Sequence, residues 1–292
     1  MSFEMRLAEK RTEIDAALAR RVAPVYPEAL YEAMAYSLLA PGKRLRPLLA
    51  IAACEACGGT AEAAMPFACA LEMVHAYSLI HDDLPAMDDD ELRRGRPTSH
   101  IQFGEALAIL AGDALLNLAY EVMSEACAES GQARDVQAMW IVAQAAGAKG
   151  MVGGQTADVL NENKCVDEQT LVYIHQNKTG KLICGALCAG AAAAGADAET
   201  RVQYERLGET LGMAFQIQDD ILDEVSSTEA LGKPVHSDAR NHKNTAVSMY
   251  GMAAARARYD ALCGEIRRMA AELADETMLL QPLLESMAKR LS

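Results

Sequence analysis

The chain has 292 residues, of which 51% are hydrophobic and 23% charged, with a formal net charge of −14. That length buries a sizeable core in one large domain or two modest ones. The acidic balance excludes general nucleic-acid or anionic-membrane binding, which needs a basic face, and it makes the positions of the few cations informative.

Helix signals dominate. Aromatic residues are only 5% of the chain, β-branched alternation is almost absent, and Ala, Leu, Met and Glu fill long windows. The pattern predicts helices over residues 3–21, 27–39, 43–58, 61–82, 101–129, 133–158, 167–178, 179–194, 197–224, 242–272 and 276–290. Turn signals at Pro41-Gly42, Gly58-Gly59-Thr60 and Gly195-Ala196-Asp197 punctuate them. Two irregular stretches, 83–100 and 225–241, exceed the ~12–15 residues beyond which loops commonly serve as lids or binding loops. No low-complexity linker divides the chain, so the expectation is one all-α domain over residues 1–292.

The first residues are charged and lack the apolar core of a secretory signal. The longest uncharged run, Leu182 to Ala196, falls short of the ~18–20 residues needed to span a bilayer. A soluble cytoplasmic protein without a membrane span is expected. Of the eight cysteines, only Cys54 and Cys57 have a metal-like or redox-like spacing, and no second pair accompanies them. A long, core-rich chain needs no disulfide staples, so these read as small buried thiols. Cys184 and Cys188, on one helical face, read the same way.

Two aspartate clusters stand out: Asp82-Asp83-Leu84-Pro85-Ala86-Met87-Asp88 and Asp219-Asp220-Ile221-Leu222-Asp223. Asp219 and Asp223 are four apart, on one helical face with Cβ atoms about 5–6 Å from each other. Like charges at that spacing weaken a helix, and its C-terminal dipole disfavours them further. A divalent cation relieves both. In the first cluster Pro85 breaks the helical ladder, and a bend there brings Asp88 back beside Asp82. Hard ions such as Mg²⁺ bind through a few carboxylates plus substrate phosphates.

The cations complete a diphosphate clamp. Arg93, Arg94 and Arg96 follow the first cluster, and Arg forks suit phosphate oxygens. Lys43 and Arg46 lie at a helix start, where free N–H groups favour anions. His75 lies two turns before Asp82 on the same helix. Lys178, Thr179, Gln216, Lys233 and Lys243 complete the polar set.

These residues carry a resemblance. Gly42-Lys43-Arg44-Leu45-Arg46-Pro47, the run from Leu71 to His81 into the first cluster, Arg93-Arg94-Gly95, Gly112-Asp113, Gly153-Gly154-Gln155, Lys178-Thr179-Gly180, Phe215 to Asp220 and Gly232-Lys233 follow one another as in the short-chain trans-isoprenyl diphosphate synthases. The chain resembles that family over nearly its whole length. The resemblance implies a single helical bundle around a deep central cavity with the two Asp motifs facing each other. It implies condensation of dimethylallyl or geranyl diphosphate with isopentenyl diphosphate by an Mg²⁺-dependent prenyltransferase, with three ions per site once substrate is bound. A homodimer follows from the family as well.

By the same resemblance, Asp82, Asp88 and Asp219 hold Mg²⁺, with Asp83 and Asp223 in support. Arg93, Lys178, Thr179, Gln216, Lys233 and Lys243 contact the allylic diphosphate. Lys43, Arg46, His75 and Arg94 hold isopentenyl diphosphate. Tyr77 and Ser78, five and four residues before Asp82, lie ~6–7.5 Å below it along the helix, where bulk stops a growing tail. Tyr77 as the floor favours a fifteen-carbon product, farnesyl diphosphate, over the twenty-carbon geranylgeranyl diphosphate. A terpene cyclase has no reason to carry the second anion site, and a non-catalytic helical scaffold predicts decay of an Asp cluster, yet both clusters are intact.

Overall fold

Thr60 starts the central helix: its hydroxyl accepts the Ala63 amide at 3.3 Å, and α4 (Ala61–Asp82) runs for 22 residues behind it. In the computed structural model, which describes residues 2–225, 244–273, 275 and 279–288, α4 is apolar on nearly every side and correspondingly buried, as an all-round hydrophobic helix must be. It packs between α3 (Leu45–Ala56) and α6 (Glu105–Ser130). α1 (Phe3–Arg21) and α2 (Glu28–Leu38) lie against that layer.

The chain then continues through α5 (Ser99–Phe103), α7 (Ala133–Ala146), α8 (Met151–Leu160) and α9 (Glu168–Ile174). A π-helical turn, His175–Gly180, joins α9 to α10 (Lys181–Ala194). α10 is buried from Leu182 through Ala193 and packs on α3, α7 and α11 (Ala198–Val225). Its Ala and Gly content lets three neighbours approach it at once. α12 (Ala246–Tyr250), α13 (Met252–Glu272) and α14 (Leu280–Ala288) close the bundle against α11 and α3. The all-α class expected from the sequence is the one observed.

Several predicted helices are interrupted. Residues 101–129 divide at Gly104, and 242–272 divide at Gly251; both glycines have positive φ, 85° and 79°, which no helix tolerates. Residues 133–158 divide at Gly147–Gly150, and 43–58 begins only at Leu45 because Arg44 is left-handed. The stretch 83–100 contains a two-stranded hairpin, β1 (Leu92–Arg93) with β2 (Arg96–Pro97). Its turn residues Arg94 and Gly95 both have positive φ, as a type I′ turn requires. Arg96 stacks on the Tyr36 ring at 4.2 Å and the Tyr36 hydroxyl donates to the Pro97 carbonyl at 2.8 Å, which docks the hairpin on α2.

α4 and α6 are long and apolar enough to cross a membrane by length and composition. α4 is instead the core of the bundle. Among the described residues all eight cysteines are free thiols. Lys233 and Lys243 lie outside the described residues.

Candidate active site

At the end of α4 the chain folds back on itself. The Asp88 amide donates to the Asp82 carbonyl at 2.8 Å, with Pro85 on the exposed outside of the bend. The two aspartates six positions apart are thereby brought to one turn. Asp82 is half-buried, and its Oδ1 accepts from Gln155 Nε2 on α8 at 2.9 Å. The other end of that amide, Gln155 Oε1, is buried without a partner.

Asp83 is turned the other way. It is buried and accepts from Arg93 through Nε at 2.7 Å and Nη2 at 2.5 Å. Burial raises its pKa against the pull of Arg93. The pair anchors the hairpin, with the Asp83 carboxylate and the Arg93 guanidinium facing each other. Position explains it: residue 83 lies about 100° around the helix from Asp82.

Asp82 opens on a cavity of about 520 Å³. Arg46, His75, Tyr77, Ser78 and His81 line one side of it, and Lys178 and Thr179 another. Met87, Met151, Val152, Val159 and Leu160 supply apolar wall. Seven of the expected site residues therefore share one space. Arg93, Arg94 and Asp83 border a separate, smaller cavity of about 50 Å³ behind α4.

The cationic groups divide in two. Around α3, Arg94 Nη1 donates to the Pro41 carbonyl at 2.7 Å, folding the hairpin tip over the exposed Lys43 turn. Arg46 Nε is buried without a partner, and burial pulls the guanidinium down to about 10, helped by Arg94 and opposed by Glu72. His75 is held neutral, its pKa pushed well below the usual range by burial and by the charges of Arg46, Arg94, Arg93 and Arg44.

On the other side, the π turn places Lys178 Nζ 2.5 Å from Asp158 Oδ2. Such insertions recur at functional sites. Gly154 makes the approach possible, because a Cβ there would fall 2.0 Å from the Lys178 amide nitrogen. Thr179 Oγ1 donates to Gln216 Oε1 at 2.8 Å, and Gln216 Nε2 donates to Asp220 Oδ1 at 2.8 Å. Asp220 Oδ2 accepts the Ala246 amide at 2.6 Å and lies 3.4 Å from His175 Nε2. Asp219 is exposed, while Asp220 and Asp223 are buried.

Four residues escaped the sequence reading. Gln155, Asp158 and Asp220 orient Asp82, Lys178 and Gln216, and Glu72 lies beneath the arginines. Gln155 belongs to the Gly153-Gly154-Gln155 run, and Asp158 follows it by three residues on α8. Gln155, Asp158 and Glu72 take their roles from segments packing together, which spacing along one helix does not reveal, whereas Asp220 lies four residues from Gln216 on α11. Among the described residues no three His, Cys, Asp or Glu side chains converge as an all-protein metal cage.

Comparison with known proteins agrees with this geometry. Residues 27–279 match the family model described as polyprenyl synthetase. Farnesyl diphosphate synthase of Geobacillus stearothermophilus is 46% identical over 261 residues, 88% of this chain and 87% of the relative. Geranylgeranyl diphosphate synthase of Cyanophora paradoxa is 44% identical over 247 residues, 84% of this chain and 82% of the relative. A Helicobacter pylori geranyltransferase, solved with magnesium and isoprenyl diphosphate, is similar at a TM-score of 0.84 and 32% identity, covering 98% of this chain and 97% of that one. Fold and site together define an all-helical isoprenoid synthase. The chain belongs to the polyprenyl synthetase family, and it is a prenyltransferase.

Proposed function

We propose that this protein joins an allylic diphosphate, dimethylallyl or geranyl, to isopentenyl diphosphate head to tail, with farnesyl diphosphate as the main product. The observation that carries the reading is the single cavity in which Asp82, two separate cations (Lys178 and Arg46) and an apolar wall meet. Lys178, Thr179 and Gln216 take the allylic diphosphate. Lys43, Arg46, His75 and Arg94 take isopentenyl diphosphate. Lys233 and Lys243 join the allylic set in this reading, as does Arg93 once released from Asp83.

The allylic C–O bond breaks, and its electron pair leaves with the diphosphate. The alkene of isopentenyl diphosphate donates its π pair to the allylic cation, forming the new C–C bond, and a proton passes to the departed diphosphate. Lys178 faces the charge that develops on the leaving group, where a preorganised cation is worth most. Neutral His75 donates a hydrogen bond without adding a further charge beside the four arginines that act on it. The apolar wall keeps water from the cation.

Mg²⁺ belongs in this reading, held by Asp82, Asp88 and Asp219 with Asp223 behind them, three ions with substrate bound. The all-oxygen donor set fits a hard ion that retains waters and takes phosphate oxygens. Bound there, it neutralises charge on the diphosphate oxygens. A cytoplasmic homodimer is part of the same reading.

The test is substrate-resolved kinetics. Arg46→Ala raises KM for isopentenyl diphosphate and leaves that of the allylic partner within about twofold, whereas Lys178→Ala chiefly impairs the allylic partner. Equal effects of each variant on both substrates would contradict two separate diphosphate sites.

A further inference from the structure

Arg44 sits between Lys43 and Arg46 but does not share their surroundings. It is 5% exposed and caps α3 in the left-handed conformation, φ 51° and ψ 38°, which costs a side-chain-bearing residue and persists only where neighbours enforce it. Two carboxylates from different helices do so. Arg44 Nε donates to Asp15 Oδ1 on α1 at 2.7 Å, and Nη1 donates to Glu72 Oε1 on α4 at 2.8 Å. Glu72 is also buried.

The arrangement has a consequence for its neighbours. Glu72 is the carboxylate acting electrostatically on Arg44, Arg46 and Arg94 together, and its hydrogen bond goes to Arg44. Arg46 Nε stays buried with no partner although a carboxylate lies near. A buried guanidinium N–H without a partner is costly unless a ligand or neighbour completes it, and Arg46 as a whole is half-buried on the cavity wall.

We infer that Glu72 and Arg44 are positioning residues for the isopentenyl diphosphate pocket: Glu72, with Asp15, pins Arg44, whose left-handed turn sets the Lys43–Arg46 geometry and leaves Arg46 open to the incoming diphosphate. The inference rests on the reading above, in which Lys43, Arg46, His75 and Arg94 form that pocket. Neither residue touches substrate. Glu72 offsets part of the charge of three arginines, so they remain together before an anion arrives, and by engaging Arg44 it is kept from pairing with Arg46.

The experiment compares Glu72→Gln, Asp15→Asn, Arg44→Lys and Arg46→Ala in the full-length enzyme, with KM for each substrate, kcat and thermal melting. Loss of one charge-assisted hydrogen bond corresponds to about tenfold in affinity. Glu72→Gln is expected to raise KM for isopentenyl diphosphate about tenfold with the allylic KM within about twofold. Asp15→Asn gives a smaller rise of the same selectivity, since Asp15 is 53% exposed. Arg44→Lys, keeping the charge but one contact, falls between wild type and Glu72→Gln. A merely structural role would instead lower melting temperature and shift both substrates alike, which would overturn the inference. Should Glu72→Gln not fold, the selectivity of Asp15→Asn and Arg44→Lys decides. If these variants leave the isopentenyl diphosphate KM within about twofold while Arg46→Ala raises it, the positioning role fails alone. If Arg46→Ala also has no effect, the assignment of the pocket fails instead.

Discussion

Asp220→Asn tests whether the second aspartate motif is partly a scaffold. The buried Asp220 carboxylate receives two well-formed hydrogen bonds, from Gln216 Nε2 at 2.8 Å and the Ala246 amide at 2.6 Å, plus the longer contact to His175. An amide in its place has one accepting oxygen, so one of the two donors meets an NH₂ group. Losing one hydrogen bond to a charged acceptor in a buried site costs about 1.5–3 kcal/mol, and the expected loss in urea unfolding is about 2 kcal/mol. The same change frees Gln216, whose Oε1 holds Thr179. Turnover should fall at least tenfold, with the allylic substrate affected more than isopentenyl diphosphate. Stability within about 0.5 kcal/mol of wild type, the scatter of surface substitutions, together with unchanged allylic kinetics, would refute the network.

Three further outcomes follow from the same geometry. Gly154→Ala places a Cβ 2.0 Å from the Lys178 amide; overpacking there should cost about 1–3 kcal/mol and weaken the allylic side, and normal kinetics would mean that α8 and the π turn tolerate separation. His75 has a folded-state pKa below its unfolded value, so protons bind the unfolded chain first and its contribution to stability is lost as pH falls below about 6.5. Between pH 7 and 5.5, wild type should lose more stability than His75→Asn, by at most about 1.2 kcal/mol, checked by denaturant titration at both pH values. Tyr77 is buried on the cavity wall, edge-on to His81 at 5.8 Å; Tyr77→Ala should lengthen the product past fifteen carbons, and unchanged chromatograms of dephosphorylated product would place the floor elsewhere.

Much of this was legible in the residues. Helix 61–82 has the predicted bounds because Thr60 caps it and Pro85 follows its end. The bend that joins Asp82 to Asp88 was expected from Pro85 alone, and Lys178, Thr179 and Arg46 do meet on one cavity. The breaks at Gly104 and Gly251 were not foreseen, because a lone glycine in a helical pattern is usually tolerated and its φ depends on tertiary packing. The partners of Asp83 and Asp220 were hidden for another reason. Helix geometry turns each aspartate about 100° from its neighbour, but it does not say that Asp82 borders the cavity while Asp83 meets Arg93 of the hairpin and Asp220 meets Gln216 and the distant Ala246 amide.

The most direct measurement is conversion itself. The protein is incubated with Mg²⁺, dimethylallyl diphosphate and labelled isopentenyl diphosphate, with Asp82→Ala as control, and the dephosphorylated products are separated by chain length. The account predicts farnesol as the main labelled product, dependent on Mg²⁺ and abolished in the control. Absence of labelled prenyl product from the wild type, or product equally abundant with Asp82→Ala, would contradict it.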